Sequence, residues 1–308
     1  MMNQNNGFRL DITHRLAKWF DVQAPYFRGA HRLRNFLTKI IAPPPAPPQV
    51  VSTRYNFMLE LTSSNDNIDQ EIYYRGSYEA GTLDIIEKCL RPDDIFIDVG
   101  ANIGLMSLLA ATCIGKEGCV YAFEPEPHTY SLLQNNISMN SIQNILTFNI
   151  GLGATQGAQE IYNNQEDNRG TSSFIKHSSE AVKTAEVPIT TLDDFVIENQ
   201  IRSIRMMKVD VEGWEMEVLQ GAQTLLSSPQ APIVCIEYNT NFPHHEAIYN
   251  FLISVNTYQT YILSHANWRV SQLVQIQSLN DMPHTGSPNL YCLLPTHLST
   301  VPTNLFAA

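Results

Sequence analysis

An apolar run of strand formers, Ile95, Phe96 and Ile97, leads into Asp98-Val99-Gly100-Ala101-Asn102-Ile103-Gly104, and an apolar helix from Leu105 to Ile114 follows at once. A strand that turns through glycine directly into a helix opens a β-α-β crossover, so it commits the chain to a parallel sheet with helices laid over it. A second apolar run, Val120 to Phe123, closes the unit and ends in Glu124, twenty residues past Gly104. A carboxylate there is placed to accept hydrogen bonds from a ribose diol. The glycine spacing then discriminates between nucleoside ligands. A pyrophosphate pocket wants Gly-x-Gly-x-x-Gly, whereas here Asp98 precedes Gly100 and Asn102 stands in the place of the middle glycine. An acid at the strand end repels phosphate and attracts a cation. S-adenosylmethionine carries a sulfonium, an ammonium and a ribose but no phosphate, so it suits this pattern better than a dinucleotide. The pattern points to methyl transfer.

The same alternation continues along the chain. Strands are expected at Ile95 to Val99, Val120 to Phe123, Ile145 to Ile150, Met206 to Asp210, Ile233 to Tyr238, Gln259 to Leu263 and Asn289 to Leu294. Helices are expected at Leu105 to Ile114, Pro127 to Asn140, Trp214 to Leu226 and His244 to Val255. Between Gly151 and Thr191 the sequence turns polar and rich in Gly and Asn, a long excursion that reads as functional or mobile. Near the start, apolar residues recur at helical spacing from Phe8 to Phe20 and from Tyr26 to Ile40, predicting two amphipathic helices. Pro43-Pro44-Pro45-Ala46-Pro47-Pro48 then forms a stiff extended spacer. Residues 1–48 are thus expected to be a basic helical extension, and 49–308 the α/β domain.

Charge limits the partners. The chain has a net charge of −11, whereas binding to a nucleic-acid backbone draws on a surplus of Lys and Arg, so nucleic acid is not expected. RNA methylation is disfavoured further by the lack of an Asn-Pro-Pro-Tyr-like base pocket. Residues 1–42 reverse the sign, with Arg9, Arg15, Lys18, Arg28, Arg32, Arg34 and Lys39 against Asp11 and Asp21. That segment can dock on its own acidic body, or meet an anionic substrate or a membrane surface. Cys89, Cys113, Cys119, Cys235 and Cys292 are odd in number and scattered, which suits reduced thiols in a cytoplasmic protein. No stretch approaches the ~18 apolar residues of a membrane span.

A second acidic motif, Met206-Met207-Lys208-Val209-Asp210-Val211-Glu212-Gly213-Trp214-Glu215, ends another strand before another helix. In an open parallel sheet ligands lie beyond the carboxyl ends of strands where strand order reverses, so Asp210 is expected near Asp98 and Gly100. Asp210 and Glu212 are not required to face one ligand, and Glu215 suits the helix N-terminus through its dipole.

Taken in order, Gly76-Ser-Tyr78-Glu79, Asp98 to Gly104, Tyr121-Ala-Phe-Glu124-Pro125, Thr191-Leu-Asp193-Asp194 and Lys208 to Gly213 resemble the FkbM-type S-adenosylmethionine-dependent methyltransferases, over roughly residues 72 to 240. The resemblance implies a Rossmann-like class I methyltransferase fold, with a seven-stranded, mostly parallel sheet, flanking helices and an N-terminal helical extension. It implies S-adenosylmethionine as donor and O-methylation of hydroxyls on sugars, polyketides, peptides or other natural products. Asp98, Gly100, Asn102 and Gly104 match the cofactor loop, whose helix N-terminus can receive the methionine carboxylate. Glu124 matches the ribose acid. Gly151 would let backbone approach adenine and Asn149 would meet its edge. Tyr78 and Glu79 match a segment over the cofactor, and Lys208 and Asp210 match the acidic motif.

Methyl transfer from a sulfonium is an in-line displacement, and a hydroxyl acceptor must also lose its proton. Asp210 and Glu237 are the leading bases, with Lys208 beside them. His244, His245 and His177 follow. Asp210 with Glu237 can alternatively hold Mg²⁺, which would acidify the hydroxyl. Two rival functions stand beside the small-molecule or short-peptide O-methyltransferase. One forms a methyl ester on the carboxylate of a peptide or acid; the other is a nucleoside-binding scaffold without turnover.

Overall fold

The computed structural model describes residues 47–164, 169–239, 245–264, 272–282 and 288–307. The two helices expected before the proline run lie outside these residues. The chain divides into two units, one ending at Tyr78 and the other beginning at Glu79. In the first, β1 (Gln49–Ser52) and β2 (Met58–Leu61) form an antiparallel hairpin followed by α1 (Asn67–Arg75). Asp66 starts α1 by accepting from the amides of Ile68 and Asp69, and Gly76, at φ 69°, ends it.

The second unit runs α2 (Ala80–Cys89), β3 (Ile95–Val99), α3 (Leu105–Ile114), β4 (Cys119–Phe123), α4 (Pro127–Met139) and β5 (Ile145–Phe148). It continues through β6 (Gly151–Leu152), β7 (Gly157–Asn163), β8 (Ser172–Ser173), β9 (Val182–Thr190), α5 (Leu192–Glu198), β10 (Ile204–Val209), α6 (Glu215–Gln220) and α7 (Gln223–Ser227). It closes with β11 (Ile233–Glu237), α8 (His245–Val255), β12 (Gln259–Leu263), β13 (Leu273–Ile276), β14 (Asn289–Leu293) and α9 (Pro295–Leu298).

The central sheet has the order β13-β12-β14-β11-β10-β3-β4-β5. From β11 to β5 every pairing is parallel, while β14 is antiparallel to β11 and to β12, and β13 is antiparallel to β12. This is the expected Rossmann-like sheet with one correction, eight strands in place of seven. The added β13, Leu-Val-Gln-Ile, is only four residues long, too short to announce itself. The chain steps outward from β3 through β4 to β5 and then returns to β3's other flank with β10, so strand order reverses between β3 and β10. A ligand crevice belongs at that reversal.

Successive strand residues face opposite sides of a sheet. Ile97, Val99, Phe123, Met207, Val209, Val234 and Ile236 belong to a buried core shared with Leu192 and Phe195 of α5, Val218 and Leu219 of α6, and Ile248 and Leu252 of α8. The alternate positions Asp98, Lys208, Cys235, Glu237, Asn289 and Tyr291 therefore share the other side, where α2 reaches Tyr291 through Thr82 and α3 reaches Asp98 through Ser107.

The polar excursion is a second correction. It folds into a four-stranded sheet of order β6-β9-β7-β8, in which β7 and β9 pair antiparallel over most of their length. The expected strand to Ile150 stops at Phe148, and Gly151 opens β6 in this other sheet. The helix expected from Trp214 to Leu226 is two helices. Asp193 accepts from the amides of Thr224 and Leu225 at 2.7 and 2.9 Å, capping α7 from a distance. A side chain at Gly221 would run into the Gly153 carbonyl, so the break packs backbone on backbone.

Candidate active site

The two acidic motifs meet at Gly100. Its φ is +82°, and a Cβ there would lie 1.9 Å from the Asp210 carbonyl oxygen. The Asp210 amide in turn donates to the Val99 carbonyl at 3.0 Å. Glycine is thus required for both torsion and space, and the ends of β3 and β10 are in backbone contact as the sequence implied.

On the β3 side, Asp98 is wholly buried. Its Oδ2 accepts from Ser107, while its Oδ1 has no partner among the described residues. Burial pushes its carboxyl above the usual range, with Lys208 pulling the other way. Asn102 sits at φ 49° and Gly104 at φ 93°, and Gly104 offers no side chain to cap α3. A Cβ on Gly104 would meet Leu133 at 2.6 Å. Glu124 is buried and takes one backbone amide on each oxygen, Asn102 at 2.9 Å and Glu126 at 3.0 Å. Burial raises it to about 7 in spite of those bonds. Each of its oxygens keeps a lone pair for a further donor.

Asn149 spends both amide protons, on the carbonyls of Glu124 and Pro125 at 2.9 Å each, so it pins the turn carrying Glu124. Gly151 has an explanation inside the protein: a Cβ would come within 2.4 Å of Ile189 and 2.6 Å of Phe174.

On the β10 side, Lys208 is 4 % exposed and lies level with Asp98 across the β3–β10 pairing. Its Nζ donates to Asp210 at 2.6 Å. Burial works against its charge, but Asp210, Glu79 and Asp98 outweigh burial and hold it well above the ordinary lysine range. One cation thus answers three acids.

Asp210, Glu212 and Glu237 converge. One oxygen from each lies within 4.8 Å of the others, and all three side chains are partly exposed. Glu212 joins because β10 ends at Val209 and the chain turns through φ 52° at Glu212 and φ 100° at Gly213. Burial, reinforced by Asp210, raises Glu212 to about 8 and Glu237 to about 10. The Glu237 Oε2 is buried with no partner among the described residues. Glu215, 2 % exposed, is not part of this trio. Its Oε1 accepts from the amides of Val211 and Gly213, both at 3.1 Å, and braces the loop.

Glu79 stands at the start of α2 in a left-handed conformation, φ 46°. Asn289 donates to its Oε2 at 3.0 Å and to Thr82 at 2.8 Å, and Asn289 lies opposite Glu237 in the β11–β14 pairing. Glu79 therefore sits on the acidic side of the crevice, with its carboxyl raised by burial and opposed by Lys208. Asn289 escaped the sequence reading because only strand register shows its neighbour. Of the histidines, His245 packs edge-on against Tyr238 at 5.6 Å, and His177 reaches the Glu212 carbonyl at 3.1 Å. His244 lies outside the described residues.

The model of the Methyltransferase FkbM domain matches residues 98–263, more than half of the chain. The chain belongs to the FkbM methyltransferase family. Among relatives of this FkbM domain, Methyltransferase 1 of Beauveria bassiana is 30 % identical over 158 residues, covering 44 % of this chain and 63 % of that protein. Hexuronic acid methyltransferase AglP of Haloferax volcanii is 31 % identical over 157 residues, covering 50 % and 62 %. Methyltransferase sdnD of Sordaria araneosa is 26 % identical over 183 residues, covering 50 % and 69 %. The match spans less than two thirds of the length of the first two.

Proposed function

We propose that this FkbM-family chain is an S-adenosylmethionine-dependent O-methyltransferase acting on a hydroxyl of a small molecule. The observation that carries the reading is the convergence of Asp210, Glu212 and Glu237 beside the glycine loop of β3. One feature of the β3 end supports this donor: the buried Asp98 Oδ1, which has no partner among the described residues, would offer a handle to a cation. The N-terminus of α3 would receive the methionine carboxylate, Glu124 the ribose diol, and the Asn149 oxygen the adenine edge. When bound, S-adenosylmethionine supplies a methyl group on a sulfonium.

The chain's own residues then do the rest. Burial and the neighbouring charges raise Glu212 to about 8 and Glu237 to about 10, so these two retain protons at neutral pH and are more basic than a lone carboxylate; the trio thus offers a proton acceptor. It accepts the hydroxyl proton as the acceptor oxygen attacks. Lys208 neutralises Asp210 and holds it in register. Glu237, the most strongly raised, is the proton-bearing member and can donate to a neighbouring acceptor oxygen.

The same acidity weighs against an ester-forming enzyme, because an acceptor carboxylate would face three acids with the buried Lys208 already shared. The relative named for a hexuronic acid frames the test, since such a sugar acid offers both kinds of oxygen. Methyl-labelled S-adenosylmethionine is incubated with a hexuronic acid and with the corresponding neutral sugar. Label that resists mild base on both supports the hydroxyl reading; label released by mild base as methanol overturns it. The trio also presents oxygens suited to a hard cation, and the base reading requires turnover to persist in EDTA.

A further inference from the structure

The sheet made by the polar excursion ends against the site. Ser173, 2 % exposed at the end of β8, donates its hydroxyl to the Glu212 carbonyl at 2.7 Å and accepts from the Ile175 amide at 3.0 Å. His177 approaches the same carbonyl with Nε2 at 3.1 Å. A carbonyl only accepts, so that nitrogen carries the proton. The segment bearing both residues is itself fastened: Asn164 donates to the carbonyls of Thr171 and Ile175 and accepts from the His177 amide. Next to them Phe174 packs edge-on against Trp214 at 5.4 Å between ring centres.

From the other side Glu215 holds the Gly213 amide. The peptide group joining Glu212 to Gly213 is therefore gripped at both ends, its oxygen by the excursion and its N–H by α6. Glu212 lies at φ 52°, a left-handed conformation that is unfavourable for a non-glycine residue and persists only when its surroundings insist on it. Released, the loop would relax and carry the Glu212 side chain away from Asp210 and Glu237.

We propose that Ser173 and His177 are positioning residues, which act on the reaction through Glu212 by locking its carbonyl. The inference rests on the reading of the trio as the proton acceptor. It also gives the excursion a purpose, because a sheet supplied between β5 and α5 sets a reacting group at the end of β10.

The test compares the full chain with Ser173→Ala/His177→Leu, which removes both donors, and with His177→Gln, which keeps an N–H near the position of Nε2. Carboxyl-carbon NMR of glutamate-labelled protein follows Glu212, assigned by Glu212→Gln, while Asp210, Glu237, Glu215, Glu79 and Lys208 around it stay unchanged. In the wild type and in His177→Gln it titrates far above an ordinary carboxyl; in the double variant it falls by a pH unit or more. Where transfer is measurable, the double variant loses about tenfold or more in kcat, its affinity for S-adenosylmethionine holds within about twofold, and His177→Gln recovers most of the rate. An unchanged Glu212 titration in a folded double variant overturns the proposal. So does a rate loss matched by an equal loss of cofactor affinity that His177→Gln does not relieve. A wild type that methylates no acceptor would count against the methyltransferase reading instead, and the NMR titration would still decide the clamp.

Discussion

At Gly100 one methyl group decides whether the two acidic motifs can touch. Gly100→Ala imposes an unfavourable left-handed torsion and overlaps the Asp210 carbonyl, so it is expected to cost roughly 2–4 kcal/mol of stability, read as a lowered urea midpoint. Glu124→Ala is expected to weaken S-adenosylmethionine binding by about 1.5–3 kcal/mol; calorimetry showing wild-type affinity would remove the ribose assignment. Asp210→Asn keeps the shape but not the base, and should lower kcat by about a hundredfold or more while leaving the fold intact. Full turnover would take Asp210 out of the chemistry. Much of this site was legible residue by residue: Asp98, Gly100, Glu124, Asp210 and Glu237 stand at strand ends that apolar runs mark clearly. Glu212 and Asn289 were not. One owes its place to a positive φ just past a strand, and the other to which residue of β11 lies across from it.

Among the elements, the helix after β10 shows what local pattern cannot say. Apolar spacing continues through Gly221, yet Asp193 from the start of α5 caps a new helix at Thr224 and Leu225. Asp193→Ala is expected to lose about 0.5–2 kcal/mol, with faster amide exchange confined to α7 and its contacts with α5; uniform exchange would deny the cap. The excursion was hidden for a different reason. Most of β7 is exposed, so its strand lacks the continuous apolar run by which the buried β3 and β10 declare themselves. Its pairing with β9 comes from partners some twenty to thirty residues away. On the proposed reading, in which the trio accepts the hydroxyl proton, the same layout sets a pH dependence. The expectation is a kcat that rises with pH through about 8, where Glu212 gives up its proton, and a flat profile would separate Glu212 from the reaction.

Across the whole molecule the buried acids set the response to pH. Glu124 and Glu215 are raised to about 7, Glu212 to about 8 and Glu237 to about 10. Each holds a proton when folded that it would release near pH 4.5 when unfolded. Their contribution to stability is therefore complete below about pH 4.5 and is lost progressively above it, fully for Glu124 and Glu215 by about 7, for Glu212 by about 8 and for Glu237 by about 10. The thermal midpoint should decline over that range, and decline less with S-adenosylmethionine present, since a bound cation offsets the charge that appears. A midpoint that rises from pH 6 to 9 would contradict this balance. In the unit from Glu79 onward the ends of β3 and β4 stand beside those of β10 and β11, and the proposed function gives the first pair to the methyl donor and the second to the acceptor. A crystal structure with S-adenosylhomocysteine measures that arrangement directly. The expected density has the ribose on Glu124 and the sulfur facing the space bounded by Asp210, Glu212 and Glu237; a ligand whose sulfur points away from those three carboxylates would refute it.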